Sequence, residues 1–462
     1  MLTNEARQLY AYERAAANLR ALIRGERHDS GTESRRRRAR AKLARAHALL
    51  TALGNPHREF PVIHVTGTSG KGSTAAAIAA ILTAAGYRVG LRTGPYIQVP
   101  TENLKIGHAL ISGLELERIT GHVLETGEKL FPDGDRGARL GYAETWIGLT
   151  CAYFASRSVD IAVVEVGAGG RFDASNVFSP LVCVITSVGL DHVVSLGPTV
   201  ADIAWHKAGI IKPGAALVVG DIPDEARSPI AREAAAVGVV PNWLTAGDEA
   251  QHQPTAMAGA FQQRNARIAV AVVKELRDRG WHISDQAVCA GLLESRLPAR
   301  LELMPGSKSP PTWVDGAHNI DKIAAVADEA CHAAGEAPPV VVLGLLAAKD
   351  ATSIAGRIAA SATAIVATEP TVLGKRSLPA AELAAAIRAV SATREVHVEP
   401  EPNCALEHAQ ALARFYGTGV LTTGSMYLAG QIRRRWYADN DIVSQRTPWP
   451  GPIALETGSG VA

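Results

Sequence analysis

A glycine-rich turn that carries one lysine is the part of the sequence whose residue types point most directly to chemistry. Glycines let a backbone turn tightly and direct its N–H groups at phosphate oxygens, and a helix that follows adds positive potential at its N-terminus. The lysine then neutralises charge on the β- and γ-phosphates of a nucleotide. We therefore expect an ATP phosphate site in this turn. Its residues are Gly67, Thr68, Ser69, Gly70, Lys71, Gly72 and Ser73.

The turn differs from the common phosphate loop, G-x-x-x-x-G-K-[ST], at two positions. Val65 stands where the first glycine is expected, so the loop is shorter, and Gly72 replaces the hydroxyl residue that usually binds magnesium. The flanking segments support the assignment, because residues 61–65 are an apolar run typical of a strand and residues 74–85 are an alanine-rich helical segment. A strand, a turn and a helix in that order are what phosphate binding requires.

Two further side chains follow predicted strands directly. Glu165 ends the apolar run 159–165, where a carboxylate would face the crevice beyond the carboxyl edge of a parallel sheet. A helix cap or a salt bridge is the structural alternative for this glutamate. His192 follows the apolar run 181–185, but a single histidine is more often structural than a ligand, and imidazole suits magnesium less well than oxygen does.

Repeated strand and helix segments surround these residues. The strands are continuous apolar runs, which indicates a parallel sheet covered by helices on both faces. We predict an α/β fold with a P-loop NTPase-like ATP-binding domain and N-terminal helices over residues 1–295. A smaller Rossmann-like α/β domain follows over residues 296–440, with further strands beginning near residues 312, 340, 364, 396 and 419. Residues 441–462, rich in proline and glycine, are predicted to be a flexible tail.

The N-terminal segment, residues 4–52, is predicted to be helical with a polar loop over residues 25–34. The arginine run 35–38 has two interpretations, a basic signal for nucleic acid or nuclear import and a solvated helix face. The sequence favours the second, because the chain is otherwise nearly neutral.

Composition excludes several protein classes. The chain has 462 residues, 47% of them hydrophobic, and a net charge of +2, which gives no electrostatic case for nucleic acid or an anionic membrane as partner. Five scattered cysteines fit reduced thiols better than a disulfide framework. The N-terminus is too polar for a signal peptide, and no apolar run is long enough for a membrane helix. We expect a soluble, cytoplasmic enzyme.

Taken together, the motifs resemble the folylpolyglutamate synthase/dihydrofolate synthase family of the Mur ligase superfamily, over roughly residues 50 to 435. Mur-type amide ligases carry a shortened phosphate loop of this kind. The other matching stretches occur in the family's order and cover residues 164–176, 186–192, 206–213, 262–265, 297–302, 315–319, 344–350 and 423–428.

The resemblance implies an acid–amino-acid ligase that uses ATP and Mg²⁺. A carboxylate is a poor acyl donor, so such an enzyme would phosphorylate it and let the amine of an amino acid attack the acyl phosphate. The implied substrates are L-glutamate and a folate or dihydropteroate, which places the reaction in folate biosynthesis and one-carbon metabolism. Similar enzymes are mostly monomeric.

Residue roles follow from the same resemblance. Lys71, Glu165, His192 and Lys207 are implied to be catalytic, and the last three to hold magnesium. Lys207 matches a lysine that is carbamylated in the family, whereas pattern alone favours an ordinary surface lysine.

Residues of the second half are implied to bind the nucleotide. Asn265 is expected on the adenine side, Arg300 at the phosphates, and Asp315 with His318 at the ribose and phosphates. A structural role is the alternative for each of them. The motifs that end in Lys349-Asp350 and contain Ser425 and Tyr427 are expected near the amino-acid substrate or the domain interface.

Residues 93–103 depart from the family pattern. Gly94 replaces a serine that normally supplies a magnesium-ligating hydroxyl, Pro100 replaces an aromatic residue, and Asn103 replaces an arginine. Thr93, Ser69, Ser73 or water are the candidates to take over the missing ligand. The segment from about residue 248 to 261 is also shorter than usual, without the small β-rich insertion expected there.

These departures leave three functional hypotheses. The leading one is ligation of L-glutamate to a folate or dihydropteroate. The second is the same chemistry on a different carboxylate and amino acid. The third is a nucleotide-binding protein without turnover, against which the presence of Lys71, Glu165, His192 and Lys207 argues.

Overall fold

Two sheets with helices on both faces form the protein. The structure is a computed structural model that describes residues 3–23, 32–132, 139–245, 255–306, 310–333, 335 and 337–451. Within those ranges, the first sheet has eight strands in the order β4-β3-β2-β5-β1-β6-β7-β8, and the second has six in the order β13-β12-β11-β14-β10-β9.

In the first sheet the pairs from β2 through β8 are parallel, and β3 and β4 are added antiparallel at one edge. Side chains of β1 alternate between two cores, because successive residues of a strand point to opposite faces: Val62 lies in one core, and Ile63 and Val65 lie in the other. The strands are β1 (Val62–Thr66), β2 (Val89–Arg92), β3 (Leu104–Ile106), β4 (Ala109–Leu110), β5 (Ile161–Glu165), β6 (Val182–Ile185), β7 (Ala216–Val219) and β8 (Pro241–Trp243).

In the second sheet all pairs are parallel except the edge pair of β9 with β10. Its central strands are fully buried apolar runs, as sheets covered on both faces require. The strands are β9 (Glu302–Leu303), β10 (Thr312–Val314), β11 (Val340–Leu343), β12 (Ala364–Ala367), β13 (Glu395–Val398) and β14 (Val420–Thr423).

Sixteen helices of the described residues cover the two sheets. They are α1 (Asn4–Ala21), α2 (Thr32–Ala52), α3 (Lys71–Ala84), α4 (Gly113–Leu130), α5 (Tyr142–Ser156), α6 (Val193–Leu196), α7 (Val200–Ala208), α8 (Asp224–Ala236), α9 (Ala260–Arg277), α10 (Asp285–Glu294), α11 (Ile320–Ala333), α12 (Ala351–Ser361), α13 (Ala380–Val390), α14 (Pro402–Tyr416), α15 (Met426–Arg433) and α16 (Asp439–Gln445). None of the described helices is both long and apolar enough to cross a bilayer.

The expected α/β fold class is confirmed. The chain forms two mainly parallel sheets, and the sheet that carries the glycine turn comes first in the sequence. The prediction missed β3, β4, β7, β8 and β9. All five of these strands have at most four residues and lie at or next to a sheet edge, where the apolar signal is short. Arg36, Arg37 and Arg38 are exposed on α2, as the solvated-face interpretation expects. The polar loop of residues 25–34 falls largely outside the described residues, as does the first half of the shortened segment 248–261.

The predicted flexible tail is wrong for residues 441–451. Residues 439–445 form α16, whose Ile442 and Val443 are buried in the same core as helices α1 and α4. After the helix, Leu110 donates its backbone N–H to the carbonyl of Arg446 at 2.9 Å. Burial of two apolar side chains outweighs the turn-forming composition that suggested a tail. Residues 452–462 lie outside the described residues.

Candidate active site

The glycine turn joins the end of β1 to the start of α3. Gly70 lies directly before the helix with φ of 80°, a left-handed conformation that favours glycine, and Lys71 is the first helical residue. The Lys71 Nζ donates to the carbonyl of Gly67 at 3.1 Å. The backbone N–H groups at this helix start have no partner within the helix and are available to an anion.

The segment after β6 holds the turn in place. Ser69 donates its backbone N–H to Ser187 Oγ at 2.9 Å, and Thr186 Oγ1 donates to the carbonyl of Ser69 at 2.5 Å. Thr68 Oγ1 donates to the carbonyl of Gly189 at 3.1 Å. The turn therefore keeps its shape before any ligand binds, which is the preorganisation that favours phosphate binding.

Neighbouring side chains explain two of the glycines. A Cβ on Gly70 would lie 2.2 Å from Asn265 Oδ1, and a Cβ on Gly72 would lie 3.2 Å from Glu165 Oε2. Asn265 is itself buried and donates to Gln262 Oε1 at 2.9 Å. The turn thus has the predicted Asn265 on one side and the predicted Glu165 on the other.

Glu165 ends β5 with its carboxylate directed at the turn. It is 5% exposed, and its Oε2 accepts a hydrogen bond from the Gly94 backbone N–H at 3.1 Å. Its carbonyl accepts from the Arg92 guanidinium at 2.6 Å, which fixes the end of the strand. Within the described ranges, no basic side chain forms an ion pair with this carboxylate. A buried carboxylate without a cation is suited to bind a metal ion.

Lys207 lies near the end of α7 and is 2% exposed, not at the surface. Burial lowers its pKa well below the ordinary value, and the charges of Lys71 and Lys322 lower it further, while Asp191 opposes them. The neutral, nucleophilic form of its amine is therefore favoured relative to an exposed lysine.

His192 follows Asp191 in the loop after β6 and has φ of 53°. Burial is the main cause that lowers its pKa, with a contribution from Lys71, so the ring is neutral and able to act as a ligand. Asp191 contacts two lysines of the second domain: its carboxylate lies 3.7 Å from Lys322 Nζ and 3.8 Å from Lys349 Nζ. Burial alone would raise the pKa of Asp191, but the charges of Lys322, His192 and Lys349 lower it to about 2.

The second domain supplies the opposite wall, beginning with Arg300. Its neighbours Ala299 and Leu301 both have positive φ, at 53° and 46°, a costly conformation for residues with side chains. Asp315 stabilises it, because its carboxylate accepts from the backbone N–H groups of Leu301 and Ala317, both at 2.7 Å. Asp315 lines the cavity described below, but both of its carboxylate oxygens already accept backbone hydrogen bonds.

His318 is the other predicted residue of this wall. Its Nδ1 lies 2.9 Å from the carbonyl of Gly316, and a carbonyl only accepts, so Nδ1 carries the proton. Burial lowers its pKa to about 3, with Lys322 adding to the effect. The neutral ring leaves Nε2 as an acceptor for a ligand hydroxyl.

These walls enclose a cavity of about 350 Å³, large enough for a ligand of nucleotide class. Neither Gly67 nor Lys207 lines it: Gly67 contacts Lys71 through its carbonyl, and Lys207 is buried among the charges beneath. A wider depression of about 1000 Å³ on the second domain contains none of the predicted residues. The predicted residues that line the smaller cavity are Thr68, Ser69, Gly70, Lys71, Gly72, Ser73, Glu165, His192, Asn265, Arg300, Asp315 and His318.

Comparison with known proteins agrees with this geometry. Residues 299–426 match the family model for the Mur ligase, glutamate ligase domain. The chain is 35% identical to a folylpolyglutamate synthase from Lacticaseibacillus casei over 411 residues, covering 84% of this chain and 92% of the relative. It is 32% identical to a dihydrofolate synthase/folylpolyglutamate synthase from Bacillus subtilis, covering 85% of this chain and 94% of the relative.

The chain belongs to the folylpolyglutamate synthase/dihydrofolate synthase family. It is therefore an acid–amino-acid ligase. Solved structures of the family have the same fold: a Mycobacterium tuberculosis folylpolyglutamate synthase complexed with ADP superposes with a TM-score of 0.82 at 27% identity, covering 94% of this chain and 99% of that one. An FPGS–AMPPCP–folate complex superposes at 0.74 with 31% identity, covering 91% and 99%.

Several residues that line the cavity were not predicted from the sequence, and two charged ones form a pair across it. Asp191 and Lys322 both line the cavity, one from each domain. Burial lowers the pKa of Lys322 to about 8, with the Lys71 charge adding to the effect. Asp191 lies in the matching stretch 186–192 beside His192, so that stretch is a signal for it. No sequence signal marks Lys322, which the fold brings to the site.

Proposed function

We propose that this ligase joins L-glutamate to the carboxylate of a folate or dihydropteroate, with ATP cleaved to ADP. The observation that carries the proposal is the cavity in which the glycine turn, Glu165 and Arg300 converge from two domains. Relatives named folylpolyglutamate synthase, and a family complex that contains both AMPPCP and folate, support the choice of substrates.

The reaction proceeds in two steps through an acyl phosphate. In the first, a carboxylate oxygen of the folate attacks the γ-phosphorus, and the bond to the bridging oxygen of ADP breaks. In the second, the glutamate amine attacks the acyl carbon, loses a proton, and inorganic phosphate leaves. The amides of the glycine turn and Lys71 hold the phosphates, and Arg300 adds positive charge from the second domain, so that charge is stabilised where it develops.

Magnesium is the cofactor that this donor set fits. Among the described residues, no three His, Cys, Asp or Glu side chains form a metal cluster. Glu165 and His192 would supply one oxygen and one nitrogen donor, and a carbamylated Lys207 would supply a further oxygen donor. Bound there, the ion would neutralise phosphate and acyl oxygens.

Carbamylation of Lys207 is consistent with its surroundings. A neutral lysine amine can attack carbon dioxide, forming an N–C bond and releasing a proton to give a carbamate. Burial and the charges of Lys71 and Lys322 favour the neutral Lys207 amine, and the same two charges would stabilise the anionic product against the cost of its burial. The carbamate would provide the oxygen donor that magnesium prefers.

A second candidate, a different acyl substrate, is favoured by the segment around Asn103. Its Oδ1 is buried without a hydrogen-bond partner, as is the Oγ1 of Thr101, among the residues that the structure describes. These are positions where the family pattern is lost, so the groups they face can differ too.

A substrate panel tests the proposal. Purified protein with ATP, Mg²⁺ and L-glutamate is given dihydropteroate, tetrahydrofolate or non-folate carboxylates, and phosphate release is measured. We expect release with at least one pteridine carboxylate. Release only with a non-folate carboxylate would support the second candidate, and ATP binding without release on any pair would show a protein without turnover.

A further inference from the structure

A second, smaller cavity of about 40 Å³ lies next to the nucleotide cavity, on the other side of Gly72 and Glu165. The segment after β2 lines it with Tyr96, the inter-domain segment with Arg296, and the segment after α16 with Trp449. A volume of this size holds about three water molecules, which matches a carboxyl group and not a fused ring. It is thus sized for the reacting end of an acyl substrate.

The C-terminal segment that carries Trp449 is firmly held by the second domain. Arg433 on α15 is fully buried, forms an ion pair with Glu302 at 2.8 Å and donates to the carbonyl of Pro448 at 2.6 Å. Trp449 Nε1 donates to the other Glu302 oxygen at 2.7 Å. One buried ion pair therefore fixes both the backbone and the indole ring of the segment.

The first domain holds the same segment from the other side. Arg446 Nε donates to the carbonyl of Leu110 at 2.8 Å, and Leu110 returns its own N–H to the Arg446 carbonyl at 2.9 Å. Arg433 also donates to Gln98, in the segment that follows Tyr96. Contacts with both domains thus hold the segment that carries Trp449 and fix the position of its ring.

We propose that Trp449 is a specificity-determining residue of the acyl-substrate subsite, forming an aromatic wall beside the reacting carboxylate. Pro298 and Met426 are among the apolar lining residues of the cavity. Its charged lining residues are the cations Lys105, Arg296 and Arg300 and the carboxylates Glu102 and Glu165. An aromatic wall and a cation together suit a flat, conjugated carboxylic acid. The inference rests on the proposed ligase reaction, but not on folate being the substrate.

Steady-state kinetics of two variants test it. Trp449→Ala removes the wall, and we expect the KM for the acyl substrate to rise about tenfold while the KM for ATP stays within about twofold. Trp449→Phe keeps a ring and loses only the bond to Glu302, so its acyl-substrate KM should rise by less than about threefold. Trp281→Ala is the matched control, because Trp281 is equally half-buried but packs on Tyr87 away from both cavities.

The outcomes separate this inference from the proposed function. The assay uses whichever carboxylate the wild-type protein turns over, so failure of folate as a substrate leaves the test intact. An unchanged acyl-substrate KM in Trp449→Ala, with wild-type turnover present, would overturn the role of Trp449 alone. If Trp449→Ala fails to fold, Trp449→Phe and Trp449→Leu decide the matter: leucine should raise the acyl-substrate KM more than phenylalanine, and equal values overturn the proposal.

Discussion

The carboxyl ends of β5 and β10 each present one buried carboxylate to the nucleotide cavity, yet the two are used differently. Glu165 is 5% exposed and Asp315 is 4% exposed, and each follows an apolar strand. Glu165 accepts one backbone hydrogen bond and has free lone pairs facing the glycine turn. Asp315 accepts two backbone hydrogen bonds across the inter-domain segment.

The difference lies in what each carboxylate stabilises. Asp315 holds Leu301, whose positive φ would otherwise be costly, and so fixes the direction of Arg300. Burial raises the pKa of Asp315, although Arg300 and the two amides oppose this effect. The side chain of Glu165 accepts a hydrogen bond from Gly94, which does not have a positive φ, so the carboxylate remains available for a ligand. A buried carboxylate at a strand end can therefore either bind a ligand or stabilise a loop. The backbone hydrogen bonds that it accepts determine which of the two it does.

The largest effect is expected from Glu165→Gln. The amide keeps the size and can still accept from Gly94, but it lacks the charge that would hold magnesium. We expect kcat/KM to fall about 10³-fold, with the thermal unfolding midpoint nearly unchanged. Phosphate release and calorimetry measure the two quantities.

Glu144→Gln is the control for that variant. Glu144 is equally buried in the first domain but pairs with Arg45 at 2.7 Å, away from the cavity. Its substitution should lower stability and leave kcat/KM close to wild type. If Glu165→Gln also lowered stability and left kcat/KM close to wild type, Glu165 would have a structural role like that of Asp315. The proposed difference between the two carboxylates would then be wrong.

Removal of the Lys207 amine should have the next largest effect. Lys207→Ala is expected to lower kcat about 10²-fold because the second oxygen donor for magnesium is lost. Acetate or another short carboxylic acid should restore part of the activity by filling the space of the carbamate. Lys212→Ala, which changes a half-buried lysine after the end of α7, should show neither loss nor rescue, and mass spectrometry at high bicarbonate should detect the modified Lys207. Absence of rescue together with an unmodified lysine would exclude the carbamate.

The main expected effect of Asp315→Asn is a lower free energy of unfolding. One backbone N–H would face an amide group in place of a carboxylate oxygen, at a cost of about 1–3 kcal/mol in the free energy of unfolding, measured with urea. Activity should fall by about tenfold through misplacement of Arg300. A stable variant with activity lost as in Glu165→Gln would instead show that Asp315 acts on the substrate.

The sequence predicted where the strands end better than it predicted the hydrogen-bond donors to the carboxylates at those ends. The apolar run that ends in Glu165 was enough to place this carboxylate at the carboxyl edge of its sheet. Asp315 follows a strand of the other sheet, and only the family resemblance implied that it lies near the nucleotide. Their partners, the amide of Gly94 and the amides of Leu301 and Ala317, belong to loops whose backbone path no periodicity encodes. Positive φ at Ala299 was likewise hidden, since alanine gives no turn signal.

Long-range contacts were the other limit. Composition suggested that the end of the chain is loose, but Arg433 and Glu302, which are 131 positions apart, form the ion pair that holds it. A buried arginine looks like an exposed one in sequence. Ile442 and Val443 were too short an apolar signal to predict a helix against the surrounding prolines.

The smallest effect is expected from Gly94→Ser, which adds a hydroxyl next to the carboxylate of Glu165. The nearest atom to a Cβ at this position is Asn103 Oδ1, at 3.7 Å, so the side chain fits without strain. If magnesium binds beside Glu165 at the carboxyl end of β5, the added oxygen should lower the Mg²⁺ concentration for half-maximal activity about threefold to tenfold. Isothermal titration of Mg²⁺ into the ATP-bound protein provides a second readout, and Gly121→Ser, on exposed α4 with open space around it, is the control. An unchanged Mg²⁺ affinity would mean that the ion is held away from Gly94. The carboxylate at the end of β5 would then resemble the one after β10, which stabilises a loop and does not bind a ligand.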